Sequence, residues 1–237
     1  MEVKTLFDNE TINRDLRRGW GLSFLVDQKI LFDTGENGFW LLENMRNLNV
    51  DIERIKTVVI SHDHWDHTGG LWEVLKNRKG LKVYACPNFS VEFKNKVRRL
   101  KGELIESERV AKIVENIFTT GEIAGEYKGK YMPEQALVVK TDKGLAIITG
   151  CSHPGIIKIV KKVKKDFGTK KIHLVLGGFH LIDKYEPEIR SIAEELEEIE
   201  VERIGPAHCS GYDAKQIFKE LYGDAFVSIK AGIKIEI

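Results

Sequence analysis

A short cluster of histidines and aspartate near residue 60 constrains this chain more than any other feature. Residues 57–60 are apolar and β-branched, which is typical of a buried strand. The next residues carry four side chains able to bind a metal, namely His62, His64, Asp66 and His67. Their spacing does not match a helical histidine pair at i and i+4. We therefore expect a loop at a strand end, where α/β sheets hold their functional residues, that turns all four inward.

The crowding of histidine argues against an ordinary polar loop with surface histidines. The chain has seven histidines, and three of them fall within these six positions. A short motif of this kind can occur by chance, so its assignment as a metal site also depends on the later histidines.

Composition predicts one globular domain without a global polyanion partner. The 237 residues are 42% hydrophobic and 31% charged, with a formal net charge of +1. The first residues lack the apolar core of a signal peptide, and no apolar run is long enough to span a bilayer. We therefore expect no membrane partner. Cys86, Cys151 and Cys209 form no Cys-x-x-Cys pair, so we expect reduced thiols in a cytoplasmic protein.

Apolar strand-like runs alternate with amphipathic segments, which predicts a layered α/β architecture. Helices are predicted over 39–48 (with Phe39 on its apolar side), 70–77, 91–100, 108–114, 156–166, 187–198 and 214–222, and a closing β segment over 226–237. Residues 88–134 are predicted to form a helical insertion, with glycine-rich residues 120–130 as a mobile loop or hairpin that acts as a lid over the active site. No linker interrupts the chain, so 1–237 is predicted to be a single domain.

Three further histidines follow strand-like segments in glycine-flanked turns: His153, His180 and His208. Only His173 lies inside a predicted strand. Any one such histidine is more often an ordinary turn or core residue than a ligand. Together with the first cluster, however, their placement predicts convergence on one point, where imidazole and carboxylate donors suit zinc, iron or manganese.

The number of candidate ligands fits two divalent metal ions. His62 and His64 would begin one site and Asp66 and His67 the other, and the distant His153 and His208 would complete them. Two ions about 3.5–4 Å apart lower the pKa of a shared water and so supply a hydroxide nucleophile at neutral pH.

The segment His62-Asp-His-Trp-Asp-His67, preceded by Ile30-Leu-Phe-Asp-Thr-Gly35, resembles the metallo-β-lactamase superfamily of metal-dependent hydrolases, and the resemblance covers most of the chain. It implies an αββα sandwich, with two mixed β-sheets face to face, helices outside and a dinuclear site at one edge. It also implies that His62 and His64 bind the first metal, that Asp66 and His67 bind the second, and that Asp33 supports their loop. His208 matches the terminal histidine ligand on the second metal.

The middle of the chain departs from the superfamily pattern. Many relatives carry a metal-bridging Asp where this chain has Thr149-Gly-Cys-Ser-His153, and a His where it has Pro133-Glu-Gln135. His153 would then replace a ligand, and Cys151 and Glu134 become candidate ligands or outer contacts. A mononuclear or unevenly filled site is the alternative to two full sites.

Three turns resemble one branch of the superfamily, the dihydropterin ribofuranosylaminobenzene phosphate synthase-like group linked to methanopterin biosynthesis. They are Gly150-Cys-Ser-His-Pro-Gly155, Gly177-Gly-Phe-His-Leu181 and Pro206-Ala-His-Cys-Ser-Gly211. In this setting His180 would be a general acid, a phosphate contact or a further ligand, or would only hydrogen-bond to one.

The leading hypothesis is a metal-dependent hydrolase of a small phosphorylated, ester or lactone substrate, with a metal-activated hydroxide as nucleophile. Catalysis is assigned to Asp66 and His180, and zinc is favoured over iron or manganese. The alternative is a metal-dependent transferase or synthase of pterin biosynthesis. A nuclease is disfavoured by the neutral charge, and a redox role by His64, where flavo-diiron relatives carry Glu. A non-catalytic binding module and a homo-oligomer are left open.

A basic cluster lies in the predicted helix 91–100 and just beyond it, consisting of Lys94, Lys96, Arg98, Arg99 and Lys101. Such a run is usually a solvated helix face. The alternative is an anchor for a phosphate or carboxylate on the substrate.

Overall fold

The structure, a computed structural model, describes residues 1–169 and 171–237. It divides into two compact units, which we describe separately. Unit 1 comprises Met1–Glu108 and Ile229–Glu236, and unit 2 comprises Arg109–Ser228 with Ile237. The prediction that residues 1–237 form a single domain stays a prediction.

Strands and helices alternate along most of the described residues, as the sequence predicts. The strands are β1 Glu2–Phe7, β2 Ser23–Val26, β3 Ile30–Phe32, β4 Thr57–Val59, β5 Lys82–Ala85, β6 Glu103–Glu106, β7 Ala111–Val114, β8 Ile117–Thr119, β9 Glu126–Tyr127, β10 Lys130–Tyr131, β11 Leu137–Thr141, β12 Gly144–Thr149, β13 Ile172–Gly178, β14 Val201–Ala207 and β15 Lys234–Glu236. The α-helices are α1 Gly38–Asn47, α2 Trp65–Thr68, α3 Leu71–Asn77, α4 Val91–Arg99, α5 Ile156–Phe167, α6 Glu186–Glu198 and α7 Tyr212–Tyr222.

Unit 1 is built on a mixed seven-stranded sheet in the order β15-β1-β2-β3-β4-β5-β6. Strands β15 to β3 pair antiparallel, and β3 to β6 pair parallel. The parallel strands bring the residues after β3 and after β4 to the same sheet edge. One face of this sheet packs on α1 and α3, through residues such as Leu31, Val58, Leu41 and Val74.

Unit 2 contains a mixed six-stranded sheet in the order β14-β13-β12-β11-β8-β7. Strands β12, β13 and β14 are adjacent and parallel, whereas the remaining pairs are antiparallel. The three turns that carry His153, His180 and His208 therefore leave one edge of one sheet, because each follows a parallel strand. This edge positions three of the six histidines predicted to belong to the site.

Helix α5 shows how sequence periodicity determines the packing of unit 2. Its buried positions are Ile156, Ile159, Val160 and Val163, which recur at the spacing of one helix face. They pack in the same core as Val175 of β13, while Lys158, Lys161 and Lys165 on the other side are exposed. The helix predicted over 156–166 is confirmed.

Three local predictions are wrong. Residues 108–114 are not helical, because β7 covers Ala111–Val114 and pairs with β8 at a sheet edge. The closing segment is strand only over Lys234–Glu236. Phe39 does not face the core of α1 but is 69% exposed, because it lies in the first turn, where the side chain of Asn37 caps the helix.

The segment 88–134 contains one helix, α4, followed by short strands and a β9–β10 hairpin. The hairpin matches one of the two predicted forms of the glycine-rich residues, whereas the predicted helical character is limited to α4. The basic cluster lies on α4 and just after it. Lys94 and Arg98 contact Glu106, and Lys96 lies over the ring of Trp72, which favours a solvated helix face. Among residues 1–169 and 171–237, none of the helices has both the length and the apolar character to cross a bilayer.

Candidate functional site

The first histidine cluster forms where β4 ends in unit 1. His62 Nε2 lies 3.1 Å from His64 Nδ1, and the rings of His62 and His67 are 4.2 Å apart between centroids. His67 Nε2 is 3.5 Å from a carboxylate oxygen of Asp66. The structure therefore brings all four predicted ligands of this loop together, and His62, Asp66 and His67 are buried.

Asp33, at the end of β3, holds this loop in place. Its fully buried carboxylate accepts hydrogen bonds from the Ser61 backbone N–H at 2.7 Å, the Ser61 hydroxyl at 2.6 Å and His67 Nδ1 at 2.7 Å. Burial raises the pKa of Asp33, and the hydrogen bonds from His67 and Ser61 oppose that shift. Since a carboxylate only accepts, the proton of His67 stays on Nδ1, and Nε2 is left with its lone pair for a metal.

Gly70 allows the motif to lie directly against the chain that follows β3. A Cβ added to Gly70 would be 2.1 Å from the carbonyl oxygen of Thr34. Thr34 in turn donates its hydroxyl to the carbonyl of His67 at 2.6 Å. The glycine after the histidine cluster is thus required by close backbone approach, which fixes His67 beside Asp33.

Asp63 also lies inside the motif, although it was not predicted to belong to the site. Its role is structural. Its carboxylate accepts the backbone N–H of Ser90 at 3.0 Å. Burial raises its pKa, and the hydrogen bond with Ser90 counteracts this. Asp63 therefore ties the histidine loop to the residue that caps α4.

The second cluster forms in unit 2 at the ends of β12, β13 and β14. Two overlapping groups of donor atoms each lie within 4.8 Å of one another, namely Cys151 with His153 and His180, and Cys151 with His208 and Cys209. His153 and His180 are 4.8 Å apart between ring centroids. The parallel strands thus gather the three later histidines with two cysteines, and Cys209 was not foreseen as a site residue.

Glu134 clamps the turn that carries His153, much as Asp33 clamps the first loop. It is fully buried and accepts the backbone N–H groups of Cys151, Ser152 and His153 at 2.8–2.9 Å. Its Oε2 also lies 3.1 Å from His153 Nδ1. Burial alone would raise the pKa of Glu134, but the hydrogen bonds from His153 and Ser152 hold it below the ordinary value.

Replacing Glu134 with glutamine is expected to destabilise the protein by about 2 kcal/mol, because an amide NH₂ cannot accept from buried donors. Urea unfolding of the metal-free protein measures the loss, and exposed Glu126→Gln is the matched control in the same unit. The folded pKa of Glu134 lies below its ordinary value of 4.5. Its contribution is therefore complete above that pH and is lost as pH falls through the folded pKa. A stability difference that persists unchanged in acid would contradict this role.

The turns of unit 2 hold several residues in the left-handed region of backbone conformation. Ser152, His180 and His208 have φ values of +63°, +52° and +48°. Such conformations cost energy for residues other than glycine and cluster at functional sites. The strain supports the assignment of His180 and His208 to the site.

Interaction with the Cys209 thiol raises the pKa of His180, against the lowering effect of burial. Burial alone would raise the pKa of Cys209. Cys151, His208 and His180 together lower it well below its ordinary value. Nδ1 of His180 is buried and has no hydrogen-bond partner among the described residues, and the ring of Tyr127 lies 5.5 Å from the His180 ring.

These donors fit a thiophilic divalent metal. Oriented imidazoles, a buried carboxylate and buried sulfur atoms suit zinc or iron better than magnesium or calcium, which prefer oxygen ligands. The unused Nδ1 of His180 is the kind of buried polar atom that a ligand would satisfy. The seventh histidine, His173, is instead paired with Glu202 at 2.9 Å, so it is a structural residue of β13.

The chain is similar to several known proteins. The sequence profile of the Metallo-beta-lactamase superfamily matches residues 21–208. A 7,8-dihydropterin-6-methyl-4-(beta-D-ribofuranosyl)-aminobenzene-5'-phosphate synthase of Methanocaldococcus jannaschii is 34% identical over 90% of this chain and 88% of that protein. An uncharacterized protein of the same organism is 30% identical over 90% of this chain and 91% of its own length.

Solved structures are also similar to this chain. Tm1679, a metal-dependent hydrolase of the beta-lactamase superfamily, is 32% identical with a TM-score of 0.84, covering 100% of this chain and 99% of that one. Human tRNase Z, short form, is 15% identical with a TM-score of 0.61, covering 100% and 99%, and shows similarity of fold alone. Together with the two mixed sheets, these matches confirm the predicted αββα fold class and the resemblance to the dihydropterin synthase-like branch.

Proposed function

The chain belongs to the metallo-beta-lactamase superfamily, and from that membership we propose that it is a metal-dependent hydrolase of a small phosphorylated, ester or lactone substrate. The proposal rests on one arrangement that occurs in each unit, in which a buried carboxylate binds the Nδ1 of a histidine that follows a strand. Asp33 binds Nδ1 of His67 in unit 1, and Glu134 binds Nδ1 of His153 in unit 2. That arrangement presents Nε2 lone pairs, which is how proteins prepare histidine for a metal.

The proposed ligands follow the two clusters. In unit 1, His62 and His64 would hold one divalent ion and Asp66 and His67 another, and in unit 2 the ligands would be His153 and His208. Zinc suits this donor set best, with iron or manganese as alternatives. A bound ion would supply Lewis acidity and lower the pKa of a coordinated water.

The remaining roles belong to side chains around the ligands. Asp33 and Glu134 fix the tautomers of His67 and His153, so that neither imidazole has to reorganise during turnover. Asp66 is proposed to serve catalysis by keeping a carboxylate beside His67. His180 is proposed to contact the substrate through its unused Nδ1, either as a proton donor to the leaving group or as a phosphate contact.

A condensing enzyme of the pterin type is the second candidate. It is favoured by the 34% identity to a protein named as a dihydropterin aminobenzene phosphate synthase. In that reaction class a second substrate takes the place of water, and the same histidines would hold the metal. The identity of the nucleophile therefore separates the two proposals.

Metal reconstitution and product analysis test both candidates. After chelation, the protein should take up at least one equivalent of zinc, iron(II) or manganese(II), measured by elemental analysis. With small phosphate esters and lactones in ¹⁸O-labelled water, a hydrolase incorporates the label into product. A synthase instead releases a condensation product only when a phosphorylated pterin and an aminobenzoate-type substrate are both present. Less than one equivalent of every metal would contradict both proposals.

A further inference from the structure

Two cysteines that are far apart in sequence meet in unit 2. Cys151 follows β12 and Cys209 follows β14, and these strands are not neighbours but flank β13. The Sγ atoms nevertheless lie 3.2 Å apart. Both residues are buried, at 3% and 2% exposure, and none of the three cysteines, all of which the structure describes, is in a disulfide.

Gly178, the last residue of β13, provides the space in which the two sulfur atoms meet. A Cβ at position 178 would be 2.7 Å from Cys209 Sγ and 3.3 Å from the Cα atom of Cys151. Any other residue would therefore place its side chain between the two cysteines. The Sγ of Cys209 is also 3.8 Å from the carbonyl oxygen of Cys151, so the contact involves both the thiol and the turn of Cys151.

We propose that Cys151 and Cys209 form a reversible disulfide pair, closed by a small hydroperoxide and reopened by a dithiol reductant. A disulfide has an S–S length of about 2.05 Å, so the sulfur atoms need to approach by about 1.1 Å. Rotation about the side-chain torsions supplies a movement of this size. Cys86, in unit 1, contacts the Ser61 carbonyl through its Sγ at 4.0 Å and serves as the control thiol.

The reaction balances with hydrogen peroxide as the oxidant. One thiol, as its thiolate, attacks a peroxide oxygen; the O–O bond breaks, and a sulfenic acid and one water form. The second sulfur attacks the sulfenic sulfur, the S–S bond forms, and a second water leaves with the remaining oxygen. The two thiols lose two electrons and two protons in total, and a dithiol returns them by exchange.

The pair links the two histidine-bearing turns of unit 2. Cys209 directly follows His208, and Cys151 lies two residues before His153. Closing the bond would tie the turn after β12 to the turn after β14 and would withdraw both sulfur atoms from metal binding. The inference does not depend on the proposed function, because it concerns thiol chemistry that occurs with or without a substrate.

Thiol counting on the full-length, metal-free protein tests the proposal. Reduced protein is treated with hydrogen peroxide, denatured, alkylated and weighed by intact mass spectrometry. Alkylated thiols are expected to fall from three to one, with a loss of about 2 Da before alkylation and a cross-linked peptide joining residues 151 and 209. Dithiothreitol should restore three alkylations.

Three variants make the outcome specific. Cys86→Ser should still form the bond, leaving no alkylated thiol, whereas Cys151→Ser and Cys209→Ser should not form it. Three alkylations in oxidised wild-type protein, or sulfinic acid on single cysteines without the cross-link, would overturn the proposal. The wild-type measurement decides the matter even if one serine variant fails to fold.

Discussion

Asp33→Asn is expected to lower the affinity of the candidate centre for zinc by about 10–100-fold, the usual effect of losing an outer partner of a metal-binding histidine. The amide NH₂ of the new side chain would face the Ser61 backbone N–H if it replaced Oδ1, or both the Ser61 hydroxyl and His67 Nδ1–H if it replaced Oδ2. In either orientation donors would oppose each other in a fully buried position. In the first case the loop that carries His67 would have to move, and in the second His67 would have to rotate or move its proton to Nε2, which removes the lone pair offered to the metal.

The choice of asparagine isolates this effect from backbone strain. Asp33 has a φ of +55°, a conformation that Asn and Asp tolerate better than other residues with a side chain. Zinc affinity is measured by competition with a chromophoric chelator, and unfolding of the metal-free protein is followed in parallel. Asp27→Asn is the matched control, because Asp27 has a φ of +48° but a side chain that is 47% exposed and pairs only with Lys29, at 3.4 Å. Equal zinc affinity in Asp33→Asn and wild type would show that Asp33 does not orient a ligand.

The parts of the fold that the sequence predicts are those determined by local patterns. Runs such as residues 57–60 and 145–149 are apolar on both faces, and glycine-flanked turns follow them, so the strand ends and their histidines could be located directly. The family resemblance then supplied the connection between distant turns.

The features that the sequence leaves open or misses depend on tertiary partners. The sequence names Glu134 only as a candidate ligand or outer contact, and only the fold brings the three backbone N–H groups of residues 151–153 to its carboxylate. Cys209 contacts Cys151, which lies 58 residues away in the sequence, and only the fold brings the two together. Residues 111–114 alternate half-buried and exposed positions, a period of two typical of an edge strand, which the helical interpretation overlooked. The one local signal for Cys209 was its position next to His208.

Gly178→Ala is expected to destabilise the protein by about 3 kcal/mol, a value at the upper end for overpacking. Its Cβ would lie 2.2 Å from the carbonyl oxygen of Gly150. That oxygen accepts the N–H of Gly178 itself at 3.1 Å, and the Gly178 carbonyl accepts the hydroxyls of Thr149 and Ser152. Relieving the clash therefore requires β12 and β13 to separate, which breaks bonds on both sides of position 178.

The same substitution would displace Cys209 from Cys151, since the added Cβ would occupy the space between them. We therefore expect Gly178→Ala to lower Tm by about 8 °C for a chain of this size, and to slow peroxide-driven loss of thiols compared with wild type. Gly168→Ala is the contrasting control, because Gly168 has a φ of +62° but open space around it, so alanine there meets only a backbone penalty of about 1 kcal/mol. Wild-type stability in Gly178→Ala would mean that the turns after β12 and β14 can move apart freely. The ligands and thiols that they carry would then lack the fixed geometry on which both proposals depend.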